Sequence, residues 1–211
     1  MRRSVEDEFG GAPLPPLLCS EAEREFLEAK NGLDLAIYSA HLACKIYAGA
    51  AEFHLTPELV CEFNRIAMSG IYDCAGTLRK RLVVPGDFVP PHHELIPWLV
   101  ESFCNYVNSS NADPFRLSAH VLWRINWIHP FYDGNGRTAR ELSYLTLLAR
   151  LQVPELAGTN SILGQLDRTA RDRYFDALRA ADLGCDGEES INIEPLESLL
   201  LELYQNQMES A

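Results

Sequence analysis

Between His129 and Arg140 the chain places a histidine, an acid, two glycines and two arginines within twelve residues: His129-Pro130-Phe131-Tyr132-Asp133-Gly134-Asn135-Gly136-Arg137-Thr138-Ala139-Arg140. Pro130 disfavours helical geometry at His129, so a helix ends near Ile128. Asp133-Gly134 and Asn135-Gly136 are consecutive turn dipeptides, which between two strands would read as a hairpin. Neither flank alternates as strands do, and a new helix begins straight after them. A Gly-rich loop entering a helix aims unpaired backbone N–H groups at one point, with the helix dipole behind them, which makes an anion site. Arg137 and Arg140 lie on one face of the first turn, where positive charge is unfavourable against the dipole unless a polyanion meets it. Triphosphate fits, because guanidinium forks grip phosphate oxygens in pairs. Asp133 offers a hard oxygen for Mg²⁺, which is held by one or two carboxylates plus substrate phosphates. His129 is then placed as a general base. Taken singly, each residue has a plainer reading as a cap, a turn or a solvated face. Their co-occurrence selects the chemical one.

These residues resemble, at all eight fixed positions, the Fic-domain signature His-x-Phe-x-(Asp/Glu)-Gly-Asn-Gly-Arg-x-x-Arg. The resemblance extends through Gly76-Thr77-Leu78-Arg79 and Pro90-Pro91-His92 to the helix around Tyr174, covering about Ser20 to Leu203. It implies a protein adenylyltransferase that moves AMP from ATP to a Tyr, Thr or Ser hydroxyl of a target protein and releases pyrophosphate. His129 would deprotonate that hydroxyl. Asp133 would hold Mg²⁺; Gly134, Asn135 and Gly136 would cradle the anion; Arg137 and Arg140 would neutralise the departing pyrophosphate. Phe131 would be buried beneath the loop. The resemblance further implies a flap at Lys80, Arg81, Leu82, Val83 and Val84 that pairs with the target by β-augmentation. It also places Tyr174 and Asp182 along an adenine pocket.

Helices must position this loop. Ser20 with Glu23 forms a capping box for a first helix, which Gly32 interrupts or kinks. Leu33, Ile37, Ala40, His41, Cys44 and Ala48 keep helical spacing on one face. Thr56-Pro57-Glu58 is an N-cap, an N1 proline and a first-turn acid, opening a helix to about Met68. Asp113-Pro114-Phe115 repeats that pattern, with Leu117, Val121, Leu122, Ile125 and Ile128 facing inward. Leu142–Leu151, Arg168–Ala181 and Glu194–Gln207 supply three more helices. Residues 79–84 and 88–89, about the turn Pro85-Gly86-Asp87, read as a short β-hairpin lying against them. The expected fold is all-α: one Fic-like helical domain at 20–211 with a β-hairpin flap, preceded by a flexible tail at 1–19 carrying Gly10-Gly11 and three prolines.

The 211 residues suffice for one well-filled core. Eighteen basic against 30 acidic residues leave a net charge of −12, which excludes nucleic-acid or anionic-membrane binding through bulk charge. No apolar segment reads as a membrane span, since Asp34 and Lys45 break the longest. Six cysteines without a CxxC pair read as buried thiols in a reducing cytoplasm, and their even number also admits three disulfides. His92-His93 with Glu94 lacks a third ligand at useful spacing.

Many proteins with this signature carry an inhibitory helix of pattern (Ser/Thr)-x-x-x-Glu-(Gly/Asn), whose Glu would here meet Arg140. Ser198 and Glu202 satisfy its first part, but Leu203 replaces the Gly or Asn, and Leu196, Leu199, Leu200 and Leu203 already form a packing stripe. Either a separate antitoxin supplies the glutamate, or the chain is not self-inhibited in this way. Rival functions are transfer of another nucleotide moiety, such as phosphate or phosphocholine, and a non-catalytic nucleotide-binding or interaction module.

Overall fold

The computed structural model describes residues 15–86, 88–182 and 191–211. Among them run eight α-helices: α1 (Glu21–Tyr47), α2 (Pro57–Ala67), α3 (Ile96–Ser109), α4 (Pro114–Ile128), α5 (Asn135–Leu151), α6 (Ile162–Asp167), α7 (Arg171–Asp182) and α8 (Glu194–Glu209). A single 3-10 turn at His93–Leu95 leads into α3.

The capping chemistry sets several starts. Ser20 and Glu23 close the expected box, with the Ser20 N–H donating to Glu23 Oε2 at 2.8 Å and the Glu23 N–H to Ser20 Oγ at 3.3 Å. The Leu59 N–H donates to Thr56 Oγ1 at 3.1 Å, with Pro57 at the first helical position. The Phe115 N–H donates to Asp113 Oδ1 at 2.9 Å ahead of α4.

The described residues form two compact units. The first comprises residues 15–36, Leu55–Asn108 and Ile125–Thr138, Asp87 excepted. Its core includes Val60 and Phe63 of α2, Ile96, Val100 and Phe103 of α3, and Ile125, Ile128 and Phe131. The second comprises Ile37–His54, Ser109–Arg124 and the described residues from Ala139 onward. Its core includes Leu117, Val121, Leu122 and Trp123 of α4, Leu142, Leu145 and Leu148 of α5, and the stripe Leu196, Leu199, Leu200 and Leu203 of α8. Helices α6, α7 and α8 pack on one another.

Two expectations, the break at Gly32 and the β-hairpin, need correction. Gly32 does not interrupt α1, which runs unbroken from Glu21 to Tyr47. The apolar face of that helix is the outward one: Leu33 and Ile37 are 63% and 59% exposed, whereas Asn31, Leu35, Ser39 and Ala43 are buried. The β-hairpin does not form: among the described residues the one β-bridge is the isolated Leu17–Tyr72 pair. The reason is competition for its backbone. The Arg79 N–H donates to the Pro130 carbonyl at 2.8 Å and the Lys80 N–H to the Tyr132 hydroxyl at 3.0 Å, so the segment is tied to the loop at 130–132 instead of to itself. The turn residue Asp87, the tail up to Leu14 and Cys185 lie outside the described residues. Of the other cysteines, all free thiols, Cys104 is buried, Cys44 is exposed, and Cys19, Cys61 and Cys74 are half-buried.

Candidate active site

Helix α4 ends at Ile128 and α5 begins at Asn135, so His129–Gly134 is the loop between them. His129 adopts φ 49°, the left-handed conformation that stops a helix. Its Nδ1 lies 3.2 Å from the Asn126 carbonyl oxygen. A carbonyl only accepts, so Nδ1 carries the proton and Nε2 keeps its lone pair. Burial lowers the imidazole pKa to about 4, with the Arg79 charge adding to the effect and the Asn126 bond and Asp133 opposing it. At neutral pH His129 is a neutral base of defined tautomer.

The loop is closed by its own side chains. The Phe131 N–H donates to Asn135 Oδ1 and Asn135 Nδ2 donates back to the Phe131 carbonyl, both at 2.9 Å. The Asn135 amide is therefore occupied in holding the turn, and what Asn135 can offer an anion is its backbone N–H. Phe131 is 1% exposed and pins the loop to the core. Gly134 has φ 77°, and a Cβ there would come within 2.7 Å of Met68 Sδ and 2.9 Å of Asn64 Nδ2, so the loop presses directly on α2. Buried Asn64 answers that approach: its Nδ2 donates to the Asp133 carbonyl at 2.9 Å and its Oδ1 accepts from the Gly76 N–H at 3.0 Å. The Thr138 N–H donates to the Gly134 carbonyl at 3.0 Å, which starts the helical ladder. Backbone N–H groups ahead of it in α5 have no helical acceptor, the condition for an anion site.

The charged side chains already have partners. Arg24 of α1 bonds Asp133 Oδ2 at 3.0 Å through Nη2 and Glu28 Oε1 at 2.8 Å through Nε. Glu28 in turn pairs with Arg137 Nη2 at 2.9 Å. Desolvation opposes ionisation of Glu28, but Arg24 and Arg137 outweigh it and hold the carboxyl below its ordinary pKa. Asp133–Arg24–Glu28–Arg137 is thus a chain of alternating charge across the mouth of α5. Neither Arg24 nor Glu28 stood out in the sequence, because an amphipathic helix more than 100 residues upstream has many such charges and none marks its distant partner.

The remaining predicted residues divide between the two units. Lys80–Val84 lies in the first unit with the loop, tied to it through Arg79 and Lys80. Arg140 belongs to the second unit, where it pairs with Asp167 at 3.1 Å. Glu202 pairs instead with Arg173, through two bonds of 2.7 and 2.6 Å on the surface. Tyr174 is buried in the second unit beside Phe175, their ring centroids 5.3 Å apart. Asp182 accepts a 2.9 Å bond from the Trp123 indole.

Asp133 is compatible with Mg²⁺ as one hard carboxylate whose remaining ligands would be phosphate and water. No group of three or more His, Cys, Asp or Glu side chains suited to a protein-only metal cage occurs among the described residues.

With this geometry in view, the family comparison is specific. Residues 54–147 match the Fic/DOC family. The protein adenylyltransferase Fic of Drosophila persimilis is 32% identical over 159 residues, 72% of this chain and 28% of that protein. The protein of the same description from Aedes aegypti is 33% identical over 112 residues, 52% of this chain and 21% of its own length. The chain thus spans under a third of the length of these curated relatives. A Fic domain containing signaling protein from Bacteroides thetaiotaomicron shares the fold with a TM-score of 0.65 at 21% identity, over 87% of this chain and 71% of that one. Fic-1 of C. elegans gives the same TM-score at 20% identity, over 95% of this chain and 53% of that one. Residues 54–147 belong to the Fic/DOC family, and the loop His129–Arg140 lies within them.

Proposed function

We propose that the protein transfers AMP from ATP to a hydroxyl group of a target protein. The observation that carries this reading is His129: a neutral imidazole, Nδ1–H given to the Asn126 carbonyl and Nε2 left free, beside a helix N-terminus flanked by Arg137. His129 Nε2 takes the hydroxyl proton as the target oxygen attacks the α-phosphorus. The bond from that phosphorus to the bridging oxygen breaks, and pyrophosphate leaves. The α5 amides and Arg137 would bind the phosphates, and Arg140 is assigned to them on the resemblance alone. Mg²⁺ held by Asp133 would withdraw charge from phosphate oxygens. Tyr174 is assigned to the adenine subsite on the resemblance alone.

The protein substrate is assigned to Lys80–Val84. That segment is bound to the loop through Tyr132 and Pro130, so a target lying along it would come close to His129. A separate inhibitor is not required to neutralise the resting charges, because Arg24 and Glu28 already pair with Asp133 and Arg137. ATP must displace these pairs, which makes α1 part of the binding equilibrium. An ATP-consuming reaction and five free thiols suit a reducing compartment, and we assign the enzyme to the cytoplasm.

Incubation with ATP labelled on the α- or the γ-phosphate, in a lysate supplying the target, tests the reading. Label from the α position on protein is expected. Label only from the γ position makes the enzyme a phosphotransferase. No label from either, with ATP still bound, makes the chain a binding module.

A further inference from the structure

Arg79 is 1% exposed, and the described residues give its guanidinium no ion pair. Burial lowers its pKa to about 10, which leaves it charged at neutral pH. Burying a cation is costly unless hydrogen bonds replace its water, and here backbone carbonyls do so. Nε donates to the His129 carbonyl at 2.7 Å and Nη2 to the Ile128 carbonyl at 3.4 Å. Nη1 donates to the Arg81 carbonyl at 2.9 Å and Nη2 also to the Pro91 carbonyl at 2.6 Å. The backbone N–H of Arg79 takes the Pro130 carbonyl at 2.8 Å. Three consecutive carbonyls at the end of α4 are thereby bound by one residue.

We propose that Arg79 is the positioning residue for the base, fixing the left-handed backbone of His129 and, through it, the direction and tautomer of the imidazole. This inference rests on His129 being the base of the reaction proposed above. The physical need is specific. A non-glycine residue at φ 49° is disfavoured by sterics and persists where its neighbours over-determine it. Two anchors do so here: the Asn126 carbonyl grips the ring, and Arg79 grips the main chain of the same residue. A cation also suits this position electrostatically, since the last carbonyls of a helix carry its negative pole. The planar fork matters as much as the charge, because donors diverging in one plane reach Ile128 and His129 on one side and Arg81 and Pro91 on the other. The same guanidinium therefore keeps the segment assigned to the target in register with the base. An ammonium, as a point charge on a flexible stem, cannot span both sides.

The test compares wild type, Arg79→Lys and Arg79→Met for thermal stability, ATP affinity, transfer rate and the nitrogen NMR signature of the His129 ring, recorded without ATP. Wild type is expected to show Nδ1 protonated. Arg79→Lys is expected to fold and to bind ATP within about threefold, while the ring shifts toward the Nε2-protonated tautomer and kcat falls on the order of a hundredfold, as for a misaligned base. Arg79→Met, with similar reach and no donor, should lose the tautomer as well. An unchanged ring signature in both variants overturns the proposal, as does a loss of transfer matched by an equal loss of ATP binding. Should Arg79→Lys not fold, Arg79→Gln, which keeps one donor, carries the same ring measurement. The ring signature does not depend on turnover. If it behaves as expected and wild type transfers no AMP, the functional reading fails and the positioning role stands.

Discussion

Abstracting a hydroxyl proton requires an imidazole that is neutral before substrate arrives, and burial secures that for His129 by holding its pKa at about 4. So low a value makes a weak base, so the bound nucleotide must raise it: phosphate charge beside the ring favours the imidazolium. His129→Ala should therefore abolish transfer, to below about a hundredth of wild type, while ATP affinity stays within about threefold. Retained binding with lost chemistry is the result to look for by calorimetry and labelled-ATP assay. Glu28 and Arg137 make the opposite pair of cases. Glu28 is the carboxylate already on Arg137, whose Nη1 also donates to the Ala67 carbonyl at 3.4 Å, so Glu28→Ala should remove the ion pair and tighten ATP binding by about five- to tenfold, a gain of about 1 kcal/mol for a partly exposed pair. Arg137→Ala should weaken it. Unchanged affinity in Glu28→Ala would show that the ion pair does not compete with phosphate.

At the scale of elements, what was legible in the sequence is what local chemistry decides. Thr56, the Ser20–Glu23 box and Asp113 announced their helices because a cap acts on amides two or three residues away. The turn from α4 into α5 was legible for the same reason, its Pro, Gly and Asn residues being local signals. The hairpin was misread because the residues 79–84 have the composition of a strand, while the N–H groups of Arg79 and Lys80 go to Pro130 and Tyr132, some fifty residues on. Helix α3 was missed although Pro97 falls in its first turn, where proline is tolerated, and Ile96, Val100 and Phe103 are buried at helical spacing. Asn64, which welds α2 to the loop, gave no signal at all. Gly134 is where this joint can be tested. An added Cβ meets Met68 and Asn64 at under 3 Å and is strained at φ 77° besides, so Gly134→Ala should cost about 2–4 kcal/mol or displace the loop. A drop in thermal midpoint together with weaker ATP binding is the expected result, and a variant as stable as wild type would mean that α2 yields readily.

For the molecule as a whole, buried titrating groups set the pH range of stability. His129 and His120, the latter also lowered to about 4 by burial and by Arg124 and Arg116, take up protons more readily in the unfolded chain. Their effect is absent above about pH 6.5 and destabilises progressively as pH falls from there toward 4. Glu141 on α5 acts from the other side. Burial pushes its carboxyl up to about 7 against the pull of Arg140 and of the Ser39 hydroxyl. The folded protein therefore holds that proton more tightly than the unfolded chain between the ordinary carboxyl value and 7, and stability declines as pH rises through this window. Below it the carboxyl is neutral in both states and costs nothing; above pH 7 the penalty is complete, at most about 3 kcal/mol. Replacing the carboxylate by its neutral isostere removes the penalty where it exists and does nothing where it does not. Glu141→Gln should accordingly raise the melting temperature by about 5 °C at pH 8 and leave it unchanged at pH 4. Equal shifts at both pH values would mean that the gain comes from packing and that Glu141 is not a buried acid in the folded state.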